Sequence, residues 1–169
     1  MTVPETRVRD ATVNDVPRIL DITNEAIEHT TANWSLEPTT LEDRVEWFRE
    51  HQDHGWPVLV AVGPDGRVIG FAAYGEFRPK AGYRFTVEHS IYVDAAERGH
   101  GIGSTLLAVL VDRARAAGVH VMIGGVAGDN TPSIRLHERF GFTVTGHLRQ
   151  VGHKFDRWLD LVFVQRTFS

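Results

Sequence analysis

The 169-residue sequence predicts an α+β fold, a mixed sheet covered by helices, on three observations. Two β-rich runs in the first half, "PVLVAV" and "RVIGFAAYGEF", are joined by the turn Gly63-Pro64-Asp65-Gly66, the signature of an antiparallel hairpin. The second half alternates as β-α-β-α-β, an order that sets strands side by side with helices over the sheet. Hydrophobic residues make up 42% of the chain. At this length that suits one domain, residues 1–169, with a substantial core.

In order, residues 6–10 form a short strand. Thr12 then caps a helix reaching about residue 29, with Ile19, Leu20, Ile22, Ala26 and Ile27 on its apolar side. The stretch "TTANWSLEPTT" is loop, and a second helix over about 41–51 carries Val45, Trp47 and Phe48. After the hairpin comes the strand "RFTVEHSIYV". Next is "DAAERGHGIGSTLLAVLVDRARAAG", a glycine-rich turn running into a helix with Leu106, Leu107, Leu110, Val111 and Ala114 at the spacing of one buried face. A strand at 120–127, a short helix at about 131–139 and strand-like stretches at 143–149 and 158–167 complete the chain, which has no repeats or linkers.

The formal charge is −4 with both signs interspersed, so no broad basic face argues for nucleic acid. The absence of cysteine excludes disulfides, thiolate zinc sites and a cysteine nucleophile. His51 and His54 stand three apart with no carboxylate in register, and no metal site is expected. The N-terminus "MTVPETRVRD" lacks an apolar core, and no run approaches the about 18 apolar residues of a membrane span. A soluble, cytoplasmic protein without membrane partners is expected.

Gly99, Gly101 and Gly103 stand at the entry to the long helix. They let the backbone turn tightly and lie close to a ligand. The first free N–H groups of the helix, with the positive end of its dipole, favour an anion, phosphate above all. The phosphate-loop pattern fails because no lysine follows Gly103, and the dinucleotide fingerprint fails because Leu106 stands where its third glycine belongs. The alternative is a tight strand-to-helix connection with no ligand.

Arg98, Gly101 and Gly103 match the R/Q-x-x-G-x-G/A motif of the GCN5-related N-acetyltransferases, between a strand and a long helix as in that superfamily, and "GDNTPSIRLHERFGF" resembles its following segment. The resemblance covers roughly residues 6–168. Within the superfamily, "NEAIEHTTANW", "FRPKAGYRFTVEHSIYV", "SIRLHERFGF" and "VGHKFDRWLD" resemble the phosphinothricin and methionine sulfoximine acetyltransferases, also described as L-amino acid N-acyltransferases. It implies the superfamily's central, mostly antiparallel sheet. It also implies acetyl-CoA as co-substrate, its pyrophosphate on the main-chain N–H groups of Arg98, Gly99, His100, Gly101, Ile102, Gly103 and Ser104. Asn130 and Ser133 are implied contacts of the pantetheine and phosphate portions, and Ile91, Tyr92 and Val93 the strand whose N–H groups face the thioester oxygen.

Transfer to an amine requires that the ammonium lose its proton. Glu88, in the apolar run "FTVEHSIYV", has the surroundings that raise a carboxylate's proton affinity, and the resemblance places the base there. His89 projects to the opposite face of a regular strand and is expected in the substrate pocket or in a structural role; Ser90 completes the implied substrate-side segment. His137 stands seven residues after Asn130, where many superfamily members carry tyrosine, and is expected either to donate a proton to the leaving sulfur or to bond the CoA chain. A substrate carboxylate calls for a cation, and "FRPKAGYR" supplies Arg78, beside Pro79, with Lys80 and Arg84. The guanidinium of Arg78 is favoured for its two-pronged fit. Trp34, Tyr83, Phe155 and Trp158 either wall the pocket or pack in the core.

The expected activity is acetyl transfer to the α-amine of a small amino acid by direct attack in a ternary complex. The alternatives are a peptide N-terminal acetyltransferase and a CoA-binding module without catalysis. A nucleotide oxidoreductase lacks its third glycine and the acid that binds ribose. The resemblance implies a homodimer, with "FDRWLDLVFVQRTF" as core strand or interface.

Overall fold

The computed structural model describes residues 5–169. Among the described residues, seven strands form one sheet in the order β1-β2-β3-β4-β5-β7-β6. They are β1 (Arg7–Asp10), β2 (Val58–Val62), β3 (Val68–Glu76), β4 (Thr86–Val93), β5 (Val121–Ala127), β6 (Thr143–Lys154) and β7 (Arg157–Thr167). The four α-helices are α1 (Val16–His29), α2 (Leu41–His54), α3 (Ile102–Ala116) and α4 (Thr131–Arg139). The β2–β3 hairpin is antiparallel as its turn predicts. β4 and β5, separated in sequence by α3, are the parallel pair that a β-α-β crossover requires.

Side-chain alternation assigns each residue of β3 and β4 to a face. Phe71 and Ala73 belong to a core with Val16, Ile19 and Ile22 of α1 and Phe48 of α2. Ala72 and Tyr74 belong to the opposite core, with Leu106, Leu107 and Leu110 of α3. The β3–β4 register pairs Gly75 with Glu88, Tyr74 with His89 and Ala73 with Ser90. Cross-strand partners share a face. Glu88 and Ser90 therefore emerge toward α1 and α2, and His89 toward α3 and α4, the separation that period two demands.

Several boundaries differ from expectation for local reasons. Thr12 caps a short 3-10 turn, Val13–Asp15, that leads into α1, and its N–H donates to Asp15 Oδ2 at 2.8 Å. α2 continues to His54 and stops at Gly55, whose φ of 70° is left-handed. The last two strands form one long hairpin, with Phe155 and Asp156 at φ of 53° and 55° in its turn. β7 is a core strand, burying Leu159, Val162 and Val164.

Candidate active site

The site is made by strands that part. β4 and β5 pair only from Thr86↔Val121 to His89↔Gly124, although β4 continues to Val93 and β5 to Ala127. Beyond His89 the β5-facing edge of β4 has no strand partner among the described residues, which leaves backbone donors for something other than the sheet. A cavity of about 490 Å³ fills the divergence, lined by residues 90–93 of β4, 124–127 of β5, the segment 30–32 after α1, and Asn130, Ser133 and His137 at α4.

Arg98 and Gly103 border the same cavity at the start of α3. Gly99 and Gly101 have φ of 82° and 80° with no atom within 4 Å of an added Cβ, so these glycines meet a conformational demand. Gly101 is the N-cap of α3 and provides no side-chain cap, which leaves the first N–H groups of α3 to another acceptor. The Arg98 guanidinium is held by Glu25 of α1 at 2.6 Å. His100 is exposed, its Nδ1 3.1 Å from Glu97 O. Ile102 is buried and Ser104 half-buried in the first turn of α3. Asn130 caps α4, its Oδ1 accepting from Ser133 N–H at 3.2 Å.

On the α1/α2 side a smaller cavity of about 290 Å³ is lined by Trp47, His51, Gly75, Glu76, Glu88 and Ser90, among others. Glu88 is half-buried, and desolvation raises its pKa above the usual glutamate value while Arg78 opposes that rise. His89, Ser90 and Gly125 border both cavities. The two cavities thus meet where the strands part, with Glu88 on one face of the sheet and the glycine turn bordering the cavity on the other.

Arg78, Pro79 and Lys80 lie exposed on the β3–β4 connection. Arg78 donates to Phe77 O at 2.7 Å and stacks over the Phe77 ring, and its charge reaches Glu88. Lys80 precedes the short 3-10 turn Ala81–Tyr83, and none of Arg78, Pro79 and Lys80 lines either cavity.

His89 and His137 are brought together from opposite walls. Both are buried, and their Nε2 atoms lie 2.8 Å apart. His89 Nδ1 is 3.1 Å from Ile123 O and His137 Nδ1 is 2.7 Å from Ser133 O. His137 therefore reaches the cavity wall with both ring nitrogens engaged.

The sequence profile of the Acetyltransferase (GNAT) family matches residues 19–142. The chain belongs to the GNAT acetyltransferase family. An L-methionine sulfoximine/L-methionine sulfone acetyltransferase of Pseudomonas paraeruginosa is 49% identical over 158 residues, covering 94% of this chain and 92% of the relative. A ribosomal-protein-alanine N-acetyltransferase from Brucella melitensis superposes with a TM-score of 0.93 at 47% identity, covering 96% of this chain and 99% of that one. A phosphinothricin acetyltransferase from Sinorhizobium meliloti, solved in complex with AcCoA, superposes with a TM-score of 0.95 at 36% identity, covering 97% and 89%.

Three features of this acetyltransferase escape sequence reasoning. His51 enters the Glu88 chamber with Nδ1 2.8 Å from Trp47 O, which leaves Nε2 as its free nitrogen, and burial pushes its pKa down. The buried Lys154 ammonium donates to Ile27 O, Thr30 O and Asn33 O at 2.5, 2.7 and 2.6 Å, clamping the end of α1 and the segment that lines the large cavity. Asn33 in turn donates from Nδ2 to Tyr92 Oη at 3.3 Å. The Lys154 and Asn33 contacts have no local sequence signal, since each joins segments far apart in the chain, and what places His51 in the chamber is the packing of α2 on the sheet. Of the four aromatics, Trp34 packs over Gly152, while Tyr83, Phe155 and Trp158 are exposed and line neither cavity.

Proposed function

We propose that the chain transfers the acetyl group of acetyl-CoA to the α-amine of a small amino acid or analogue, of the methionine sulfoximine, methionine sulfone or phosphinothricin type, by direct attack in a ternary complex. The observation that carries this reading is Glu88. It is a half-buried carboxylate with raised proton affinity, in a chamber of about 290 Å³ that shares His89, Ser90 and Gly125 with the larger cavity. The chamber has the size of a small-metabolite site. Glu88 takes the ammonium proton, directly or through water, and the neutral amine passes between the two cavities at His89, Ser90 and Gly125 to attack the thioester.

Main-chain N–H groups from Arg98 to Ser104 hold the pyrophosphate, and Asn130 and Ser133 meet the pantetheine. The unpaired β4 edge at Ile91, Tyr92 and Val93 offers N–H groups to the thioester oxygen as charge gathers there. The sulfur leaves as a thiolate whose parent pKa is about 8.5, so departure at neutral pH does not require a proton donor. Arg78 neutralises the substrate carboxylate, with Pro79 setting its loop and Lys80 at the rim. His137 adjoins the departing sulfur.

The exposed apolar residues Leu148, Val151, Phe155 and Trp158 of the β6–β7 hairpin support a homodimer formed through that hairpin. No helix among the described residues is long and apolar enough to cross a membrane; a cytoplasmic location belongs to the proposal, as the place where a small metabolite and acetyl-CoA would meet. The test is CoA release over a panel of methionine sulfoximine, methionine sulfone, phosphinothricin, the common amino acids and a peptide beginning with alanine. Turnover confined to free amino acids or analogues supports the reading; turnover of the peptide alone overturns it.

A further inference from the structure

Three polar contacts run in series from the β5 main chain to the α4 main chain: Ile123 O with His89 Nδ1 at 3.1 Å, His89 Nε2 with His137 Nε2 at 2.8 Å, and His137 Nδ1 with Ser133 O at 2.7 Å. A carbonyl oxygen only accepts, so each end contact needs a hydrogen on Nδ1. Two neutral imidazoles carry two hydrogens between them, and with both spent on the carbonyls two Nε2 lone pairs would face each other. Three hydrogen bonds require three protons.

We propose that His89 and His137 hold one additional proton in common, as an Nε2–H···Nε2 hydrogen bond, so that a single positive charge sits between β4 and α4 where the leaving thiolate departs. The shared proton rests on the three contacts; only its use in catalysis rests on the acetyl-transfer reading. In that step the ammonium gives one proton to Glu88, the C–N bond forms, the C–S bond breaks with its electron pair going to sulfur, and the second nitrogen proton passes to water as the amide forms. The pair keeps its proton and offsets the charge on sulfur.

The groups packed against the pair bring no charge of either sign, so the three hydrogen bonds alone offset the cost of burying this one. β5 contributes Gly124 and the Ile123 carbonyl, β7 contributes Val164, and Phe142 packs with its ring centroid 5.3 Å from His89 and 5.2 Å from His137. Tyr74 of β3, on the same face, is a buried neutral phenol whose pKa is raised by desolvation. Glu88 emerges on the opposite face, and Arg135, Glu138 and Arg139 of α4 are exposed.

The two rings are not equivalent. Burial, then repulsion by His137, pushes His89 down to about 3, so the pair refuses a second proton at any ordinary pH. Burial leaves His137 below the ordinary histidine value, its bond to Ser133 O offsetting only part of that fall, so the charge is held by the hydrogen bond between the rings rather than by either ring alone. The shared proton belongs mainly to His137, and His89 accepts from it. Gly124 makes room for this arrangement: a Cβ there would lie 2.7 Å from His89 Cε1 and 3.2 Å from its Nε2.

His89 acts through His137 and is a positioning residue. The test is a ¹⁵N NMR titration of the histidine rings in the intact protein without substrate, on wild type and His89→Gln. The glutamine amide can donate to His137 Nε2 without an extra proton. The expected result is one charged ring at pH 7 in wild type, assigned to His137, and its loss in His89→Gln. In that variant kcat falls about 10²-fold, while the KM for acetyl-CoA changes little. Two neutral rings at pH 7 in wild type would overturn the proposal, and that measurement needs no variant to fold. A charged pair in wild type with unchanged kcat and pH profile in His89→Gln would overturn its catalytic use. Failure of the acetyl-transfer reading is distinguishable, because it shows as absence of wild-type turnover on every amine.

Discussion

Glu88 stands directly across the β3–β4 ladder from Gly75, and His51 Nε2 lies 3.5 Å from where a Gly75 Cβ would be. The missing side chain at Gly75 is therefore the floor of the chamber in which the carboxylate stands. A methyl group there meets only ordinary van der Waals contact, so Gly75→Ala is expected to fold and to bind substrate. Gly75→Val adds two methyls that enter the chamber. Its KM for the amino acid is expected to rise about tenfold or more, with the KM for acetyl-CoA unchanged, as steady-state kinetics with each substrate varied in turn will show.

Burial raises the Glu88 pKa and the Arg78 charge restrains it. The base must be ionised to work, so kcat/KM is expected to rise with pH along a limb that lies above the ordinary glutamate value. Removing the restraining charge raises the pKa further. In Arg78→Leu the limb should move to higher pH, and, if the same guanidinium serves the substrate carboxylate as proposed, the KM for the amino acid should increase. A pH profile identical to wild type would separate Arg78 from Glu88.

The glycine turn gives a prediction on the other substrate. Gly101 has a φ of 80° with open space around it, so Gly101→Ala suffers backbone strain of about 1–2 kcal/mol and no clash. The strain is expected to shift the turn and raise the KM for acetyl-CoA while leaving the KM for the amino acid near wild type. Calorimetric titration with CoA checks the binding loss directly.

Lys154 tests the wall of the large cavity. Lys154→Met keeps the length of the side chain and removes three hydrogen bonds to Ile27 O, Thr30 O and Asn33 O. Leaving buried acceptors unsatisfied costs about 1–3 kcal/mol, read as a lower denaturant midpoint. The segment it clamps lines the cavity, so the variant is also expected to bind substrate more weakly at temperatures where it remains folded.

The parts that local pattern controls were legible in the sequence. α4 begins and ends where Asn130, Pro132 and the following Gly141 say it should, and the opposite facing of Glu88 and His89 follows from period two. The β6–β7 turn was not legible, because Phe155 and Asp156 adopt left-handed conformations that glycine or asparagine would have announced. The bulges between Val144 and Gly146 and between Leu148 and Gly152 blurred that hairpin further. His89 and His137 are 48 residues apart, and only the packing of α4 on the sheet brings them together. His51 read as one of a polar pair at a helix end, because nothing local reveals that Gly75 leaves space beneath its ring.

The most direct test of the central claim is the rate of CoA release by Glu88→Gln against wild type, on the best amino-acid acceptor, with acetyl-CoA binding measured in parallel. Glutamine keeps the shape and cannot take the ammonium proton. A fall in kcat/KM of roughly 10²-fold or more, with unchanged acetyl-CoA affinity and loss of the pH limb, is the predicted result. Turnover within a few-fold of wild type, with the limb intact, would contradict Glu88 as the base.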